Sequence, residues 1–240
     1  MCENIVSFKN INKFYGDEKV LENFNLDIKY GEFLTIIGTS GSGKTTVLKL
    51  INGLLESNGG EIFVCGENIK TIDKINLRRN IGYVIQGIGL FPHMSIKKNI
   101  EYVLNLKKED KKVMSLRSLE LIEKVGLKKE MLKKYPNELS GGQRQRVGIA
   151  RALASKPKIL LMDEPFGAVD EITRKMLQEE ILNIYKELDV TIIFVTHDIK
   201  EALKLGTRVI VMNEGKIVQS GTSSDIKNNP KNEFVKELIS

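Results

Sequence analysis

A glycine-rich segment between an apolar strand and a helical segment constrains this chain more than any other feature. GTSGSGKT, 38–45, follows the apolar stretch FLTIIG and precedes TTVLKLINGLL, in which apolar residues recur at helical spacing. Glycines let a backbone wrap closely around phosphate groups, and amide groups at a helix N-terminus attract anions. The pattern G-x-x-x-x-G-K-[ST] in this strand–loop–helix setting predicts a phosphate-binding loop in an α/β fold. The alternative, a flexible Gly/Ser turn, does not explain why the segment lies between an apolar strand and a helix.

The loop assigns candidate roles to its own residues. We expect the Lys44 ammonium to reach the β- and γ-phosphates of a nucleotide and the Thr45 hydroxyl to bind Mg²⁺. The other nucleotide-binding residues predicted here are Gly38, Thr39, Ser40, Gly41, Ser42, Gly43 and Thr46.

A second segment, KILLMDEP at 158–165, carries paired carboxylates at the end of an apolar strand. In phosphate-loop enzymes such a strand end supplies a magnesium ligand, so we assign that role to Asp163. Glu164 is positioned to polarise a water for attack on the γ-phosphate, which is a general-base role. A strand that ends in two solvated acids remains the structural alternative.

Strand and helix patterns alternate along most of the chain. The N-terminal segments 4–15 and 20–28 predict an antiparallel pair, and 96–136 has helical periodicity interrupted by Gly126 and Pro136. The predicted fold class is α/β: a P-loop NTPase core with a mostly parallel sheet, an N-terminal antiparallel β subdomain and a helical subdomain. We predict a single domain over 1–240, with the core at about 1–86 and 156–240 and the helical subdomain at about 87–155.

Composition excludes several classes of protein. The chain has two cysteines and two histidines, too few for a disulfide framework or a Cys/His metal cluster. No apolar run approaches the roughly 18 residues of a membrane span, and the N-terminus lacks a secretory signal, so we expect a cytoplasmic protein. The net charge of +6 includes lysines of 105–136 that are interleaved with acids and leucines. This indicates a solvated helical face rather than a nucleic-acid surface.

The segment LSGGQRQR, 139–146, is a second glycine turn that also opens a helix. Its hydroxyl and amide groups would suit an anion, although one nucleotide site per chain needs no second such turn. The chain resembles the ATP-binding cassette (ABC) ATPases over essentially its whole length. The motifs that carry this resemblance, in chain order, are Tyr15, GTSGSGKT, Gln86 in YVIQG, LSGGQ, ILLMDEP, GAVD and His197 in VTHD.

The resemblance implies that two cassettes close head to tail over two ATP molecules. Each LSGGQ turn, through Ser140, Gly141, Gly142 and Gln143, would face the γ-phosphate held by the partner, most simply in a homodimer. The remaining implied roles are stacking on adenine for Tyr15, contact with Mg²⁺ or the attacking water for Gln86, contact with the γ-phosphate for His197, and reach across the dimer for Asp170. Valine replaces the family's more usual leucine at 169, an apolar-for-apolar change. The implied catalytic set is Glu164, His197 and Gln86, and the implied Mg²⁺ ligands are Thr45, Gln86 and Asp163.

Finer resemblance indicates the ATPase subunit of an importer for quaternary-amine osmoprotectants such as glycine betaine, carnitine or choline. It is carried by IGYVIQGIGLFPHMSI and LLMDEPFGAVDEITR. We expect a peripheral protein on the cytoplasmic face of the plasma membrane that docks on permease subunits through an apolar cluster of Phe91, Pro92 and Met94. An extracellular solute-binding protein would take part indirectly, and nucleic acid would not. We expect no C-terminal CBS domains in this chain. Two alternatives stay open: an amino-acid-type importer and a soluble nucleic-acid-associated ABC ATPase.

Overall fold

The computed structural model describes residues 3–87, 89–167 and 169–239. The strands, in chain order, are β1 (Asn4–Tyr15), β2 (Glu18–Lys29), β3 (Phe33–Gly38), β4 (Gly59–Val64), β5 (Glu67–Asn68), β6 (Ile81–Val84), β7 (Ile159–Asp163), β8 (Thr191–Val195), β9 (Arg208–Asn213) and β10 (Lys216–Gly221). The helices are α1 (Lys44–Ile51), α2 (Lys74–Asn80), α3 (Ile96–Leu106), α4 (Lys111–Lys124), α5 (Gly141–Leu153), α6 (Glu171–Glu187), α7 (Ile199–Leu205), α8 (Ser223–Asn228) and α9 (Glu233–Ile239). Short 3₁₀ turns cover Lys129–Lys133 and Pro136–Glu138.

The chain forms two compact units. The first contains the described residues up to Arg78 together with those from Val190 onward, and the second contains 79–189. In the first unit, an antiparallel sheet has the strand order β2-β1-β4-β5. The β1–β2 hairpin ends with Tyr15 opposite Glu18, which places Tyr15 at the turn.

A second group of strands in the first unit, in the order β10-β9-β3-β8, positions the glycine-rich loop. β3 pairs in parallel with both β8 and β9, and Ile36 lies opposite Val195 and Ile210. All six residues of β3 are buried, as is typical of a parallel strand that is covered on both faces. The carboxyl ends of β3 and β8 therefore lie at one edge, where the loop and His197 follow them.

The second unit combines a parallel strand pair with a group of helices. β6 pairs with β7, and Val84 lies opposite Met162, so Asp163 follows at the carboxyl end of the pair. Helices α3, α4 and α5 bury Ile100, Leu121 and Ile149.

The predicted α/β class with an N-terminal antiparallel part is confirmed. The helical periodicity of 96–136 is divided in the structure. Lys108 has a φ of 59°, which ends α3, and the side chain of Asp110 caps the N-terminus of α4. The predicted helical subdomain, 87–155, falls within the second unit, and its limits stay a prediction. In the described ranges no helix is both long and apolar enough to cross a membrane.

Candidate functional site

The glycine-rich loop between β3 and α1 requires glycine at two positions. Gly38 has a φ of 153°, and a Cβ there would lie 2.0 Å from the carbonyl oxygen of Met212. Gly43 has a φ of 95°, and its Cβ would lie 3.0 Å from Cδ2 of Leu21. At Gly38 a Cβ would collide with backbone, so a side chain there would displace the loop, and at Gly43 the positive φ itself disfavours a side chain. α1 begins at Lys44 immediately afterwards, so its first amide groups follow directly on the loop.

The Lys44 side chain folds back over this loop. Its Nζ donates to the carbonyl oxygens of Gly38 at 2.9 Å and Thr39 at 2.7 Å, and the residue is only 7% exposed. Buried ammonium groups need such partners, and a bound phosphate could take the place of the carbonyls. Thr45 follows in the first turn of α1 and is half-buried, while Thr46 is buried.

Three further predicted residues of the first unit lie at chain turns. Tyr15 is 46% exposed, with the Nζ of Lys13 5.0 Å from the centroid of its ring. Such an exposed aromatic face can stack on a base. Thr39 donates through its hydroxyl to Oδ1 of Asn213 at 3.2 Å. His197 is exposed and immediately precedes Asp198, whose side chain caps α7.

In the second unit, the end of β7 carries a buried carboxylate with a phenol partner. Asp163 is 3% exposed, and the hydroxyl of Tyr83 on β6 donates to its Oδ2 at 3.4 Å. Burial, followed by the charge of Asp163, raises the pKa of Tyr83 well above its usual value. The phenol therefore keeps its proton and remains a donor to the carboxylate.

Two of the three predicted catalytic residues meet beside this pair. Gln86 Nε2 donates to Oε2 of Glu164 at 3.1 Å. Glu164 has a φ of 45°, in the left-handed region, so the chain turns sharply out of β7 at this residue. A residue other than glycine adopts this conformation at a cost in free energy, and residues strained in this way cluster at functional sites. The amide of Gly167 donates to the Glu164 carbonyl at 3.2 Å and closes the turn.

The LSGGQ segment forms a reciprocal cap at the N-terminus of α5. The Ser140 hydroxyl accepts from the amide of Gln143 at 3.3 Å, and Gln143 Oε1 accepts from the amide of Ser140 at 3.0 Å. Ser140 is exposed, while Gly141, Gly142 and Gln143 are half-buried. A capping box fixes the first turn of the helix, where free amides and the helix dipole favour an anion.

Asp170 caps α6 in a similar way. Its Oδ1 accepts from the amide of Thr173 at 3.0 Å, and its Oδ2 accepts from the Thr173 hydroxyl at 2.7 Å. These bonds, first from the amide and then from the hydroxyl, lower the pKa of Asp170 below its usual value. The Asp170 carboxylate is therefore ionised and oriented.

The predicted docking cluster is partly packed into the second unit. The ring centroid of Phe91 lies 4.6 Å from that of Tyr102, and the buried amide of Asn99 accepts from the Phe91 amide at 2.8 Å and donates to its carbonyl at 3.1 Å. Pro92 is exposed and Met94 is half-buried. The docking role of this cluster stays a prediction.

Comparison with known proteins decides the family. The sequence pattern of the family described as ABC transporter matches residues 21–167. This chain belongs to the ABC transporter family.

The similarity of this ABC transporter chain to individual relatives extends beyond residues 21–167. It is 51% identical to the choline transport ATP-binding protein OpuBA of Bacillus subtilis and 50% identical to the glycine betaine/carnitine/choline transport ATP-binding protein OpuCA of the same organism. Each match covers 98% of this chain but 62% of the relative, so the chain spans less than two thirds of the length of these proteins.

A solved cassette has the same fold. The dimeric post-hydrolysis structure of the ATP-binding cassette MJ0796, bound to ADP and Pi, superposes with a TM-score of 0.82 at 36% identity. The superposition covers 91% of this ABC transporter chain and 98% of MJ0796.

The side chains of this cassette suit a nucleotide with Mg²⁺. At Gly38 the loop approaches the Met212 carbonyl too closely for a Cβ, and the Lys44 ammonium donates to the Gly38 carbonyl. The predicted ion ligands, Thr45, Gln86 and Asp163, present hydroxyl, amide and carboxylate oxygens, the hard donors that Mg²⁺ prefers. Among the described residues no group of three or more His, Cys, Asp or Glu side chains could hold a metal ion.

Sequence reasoning missed two residues that contact predicted site residues in this ABC transporter chain. Tyr83 contacts Asp163, and no local sequence signal indicated this contact, because it depends on the parallel pairing of β6 with β7. Thr173 contacts Asp170, and the helix signal Asp-x-x-Thr could have indicated a cap at this position.

Proposed function

We propose that this chain is the ATP-binding and ATP-hydrolysing subunit of an ABC importer that takes up a quaternary-amine osmoprotectant. The observation that carries the proposal is an identity of about one half, over 98% of the chain, to two transport ATP-binding proteins for choline and for glycine betaine, carnitine and choline. The glycine-rich loop, the end of β7 and the capped start of α5 support the same function. They present amides, an ammonium group, carboxylates and a hydroxyl, which suit ATP binding and hydrolysis.

The chain supplies distinct groups for binding and for hydrolysis. In this proposal Tyr15 stacks on adenine, and the loop amides with Lys44 hold the phosphates. Thr45, Gln86 and Asp163 would hold Mg²⁺, which would neutralise charge on the phosphate oxygens.

Hydrolysis depends on a water positioned by side chains. Glu164 accepts the proton of that water as general base, and His197 contacts the γ-phosphate. The bond from Gln86 to Glu164, at 3.1 Å, supports a shared role in orienting the water.

The active assembly in this proposal contains two cassettes. The exposed hydroxyl of Ser140 and the amides of Gly141 and Gly142 at the start of α5 contact the γ-phosphate held by a second, identical chain. The dimeric structure of MJ0796 with ADP and Pi, at 36% identity, supports a paired arrangement.

The cassettes dock on permease subunits at the cytoplasmic face of the plasma membrane, with the cluster at Phe91, Pro92 and Met94 contributing to the contact. A solute-binding protein acts indirectly by loading the permease, and nucleic acid has no role. The transported solute never contacts this chain, so its identity comes from the permease and binding protein.

Reconstitution tests this proposal. The chain is combined with its permease in vesicles, and ATPase activity is measured with binding protein loaded with glycine betaine, carnitine, choline or an amino acid. We expect stimulation by one or more quaternary amines. Stimulation by an amino acid alone would favour the amino-acid-type importer. Stimulation of the free chain by DNA or RNA, lost steeply as salt rises, would favour a nucleic-acid-associated ATPase.

A further inference from the structure

Thr173, in the first turn of α6, contacts two residues of its own chain, Asp170 and Gly142, that the family resemblance implies face a second cassette. One contact is with Asp170. The Thr173 amide donates to Oδ1 at 3.0 Å and its hydroxyl donates to Oδ2 at 2.7 Å, so both carboxylate oxygens are held by one residue. Bonds to an ionised acceptor are stronger than neutral ones and restrict its rotamer.

The other contact is with the LSGGQ turn. A Cβ built on Gly142 would lie 2.5 Å from Cγ2 of Thr173, 3.7 Å from its Cβ and 3.8 Å from its Oγ1. The methyl group of Thr173 therefore packs directly on the glycine backbone, while the hydroxyl of the same side chain binds Asp170. Gly142 has no positive φ that would call for glycine, so the close approach of Thr173 is the reason that glycine suits this position.

The two turns joined by Thr173 are each internally fixed. The Ser140–Gln143 capping box holds the first turn of α5, and an Arg174 Nη2 bond of 3.4 Å to the carbonyl of Val169 supports the turn before α6. A displacement of either turn is therefore transmitted to the other through a single, short, β-branched side chain with few rotamers.

We propose that Thr173 is a positioning residue that holds the LSGGQ turn and the Asp170 carboxylate in one fixed arrangement, so that both meet the second cassette together. This inference rests on the proposed function, in which the start of α5 faces the partner, and on the reach across the dimer that the family resemblance implies for Asp170. In this role Thr173 acts through Gly142 and Asp170.

Two substitutions separate its two contacts. Thr173→Val keeps a methyl against Gly142 and removes the hydroxyl bond to Asp170, whereas Thr173→Ser keeps the hydroxyl and removes the methyl. We expect Thr173→Val to lower kcat about tenfold, because the Asp170 carboxylate loses the hydroxyl bond that orients it. ATP affinity of the isolated chain should stay unchanged, because the phosphate loop binds nucleotide before the dimer closes. Thr173→Ser should retain more activity.

A double-mutant cycle with Asp170→Ala gives a readout that general loss of structure would not produce. If Thr173 acts through Asp170, then Thr173→Val should have little further effect in the Asp170→Ala background. The matched control is Thr222→Val, because the Thr222 hydroxyl binds the Asp225 carboxylate at 2.7 Å at the N-terminus of α8, the same pair of groups. Thr222→Val should leave kcat unchanged.

The outcomes distinguish this inference from the proposed function. A wild-type chain that neither hydrolyses ATP nor pairs in its presence would overturn the proposed function. An active wild type whose Thr173→Val variant keeps full kcat, loses ATP affinity instead, or shows additive losses with Asp170→Ala would overturn only the role of Thr173.

Discussion

Glu164 shows how one residue combines backbone geometry with chemistry. Its φ of 45° directs the chain out of β7, and its carboxylate accepts a bond from Gln86 at 3.1 Å. The neighbouring Asp163 is buried and accepts from Tyr83 instead. Two adjacent carboxylates therefore have different surroundings, which supports the division between a magnesium ligand and a general base.

The residue-scale prediction is that Glu164→Gln keeps ATP binding but stops hydrolysis. Glutamine has the same shape and can still accept from Gln86 through its carbonyl, but it cannot take a proton from water. We expect turnover to fall by about 100-fold or more and an ATP-dependent dimer to accumulate on gel filtration.

Glu214→Gln is the matched control for this prediction, because Glu214 has the same φ of 45° in the β9–β10 turn. It should behave as the wild type. A fully active monomeric Glu164→Gln variant would contradict both the assignment of the base and the need for a partner.

At the scale of elements, the helices of the second unit meet at a buried ion pair. Arg146 of α5 binds the carboxylate of Glu180 on α6 and donates to the carbonyl of Val125, which follows α4, at 3.0 Å. Within the described ranges, Oε2 of Glu180 is buried without a hydrogen-bond partner. Burial raises the pKa of Glu180 to about 6, and the opposing effect of Arg146 only partly offsets it. Glu180 therefore binds a proton more readily in the folded unit than in the unfolded chain.

The pH dependence of stability tests this pair. The ordinary pKa of a glutamate is 4.5, and that of Glu180 in the folded chain is about 6. At pH values between these two, the folded chain keeps a proton on Glu180 that the unfolded chain releases. The stability that this proton contributes is complete below pH 4.5 and is lost as the pH rises through 6. Relative to Glu180→Gln, the wild type should lose about 2 kcal/mol of unfolding free energy between pH 4.5 and 7.5.

Urea unfolding at several pH values measures this difference, and Glu120→Gln serves as the control. Glu120 also pairs with an arginine, Arg117, at 2.8 Å, but its side chain is 53% exposed. This variant reports the effect of removing an exposed glutamate from an ion pair with arginine. A constant difference between wild type and Glu180→Gln across this range would contradict the effect of burial.

At the scale of the whole molecule, the chain carries two turns suited to an anion. One is the glycine-rich loop with Lys44, and the other is the capped start of α5 at Ser140. In the proposed dimer each chain contributes its loop to one site and its capped turn to the other. A chain with a damaged loop can therefore still supply its intact capped turn to a partner whose own capped turn is damaged.

Mixing two inactive variants tests this arrangement. Lys44→Ala disables the loop and Ser140→Arg blocks the capped turn, so each variant alone should be inactive. An equal mixture forms mixed dimers in which one site has an intact loop and an intact turn. We expect about a quarter of wild-type activity if pairing is random and the two sites act independently.

The control for the mixture is a chain that carries both substitutions, mixed with the Lys44→Ala variant. No site in that mixture has an intact loop, so activity should be absent. Failure of the first mixture to recover activity, while each variant still folds and pairs, would mean that both turns serve a site within one chain.

Local patterns allowed much of the fold to be predicted. The α/β class, the loop between β3 and α1, and the start of α5 after Ser140 follow from apolar periodicity and from positions where only glycine or a capping residue fits. The division of 96–136 into α3 and α4 was not predicted, because the left-handed Lys108 and the cap at Asp110 are weaker signals than the helical periodicity around them.

The sequence by itself determined the kinds of groups present and the turns that carry them, because glycine sterics, helix capping and strand burial act between neighbours in the chain. Only the tertiary structure decided which turns meet. The contacts of Tyr83 with Asp163, Gln86 with Glu164 and Thr173 with Gly142 join residues far apart in sequence. Such contacts depend on strand register and helix packing, which side-chain type and spacing do not specify.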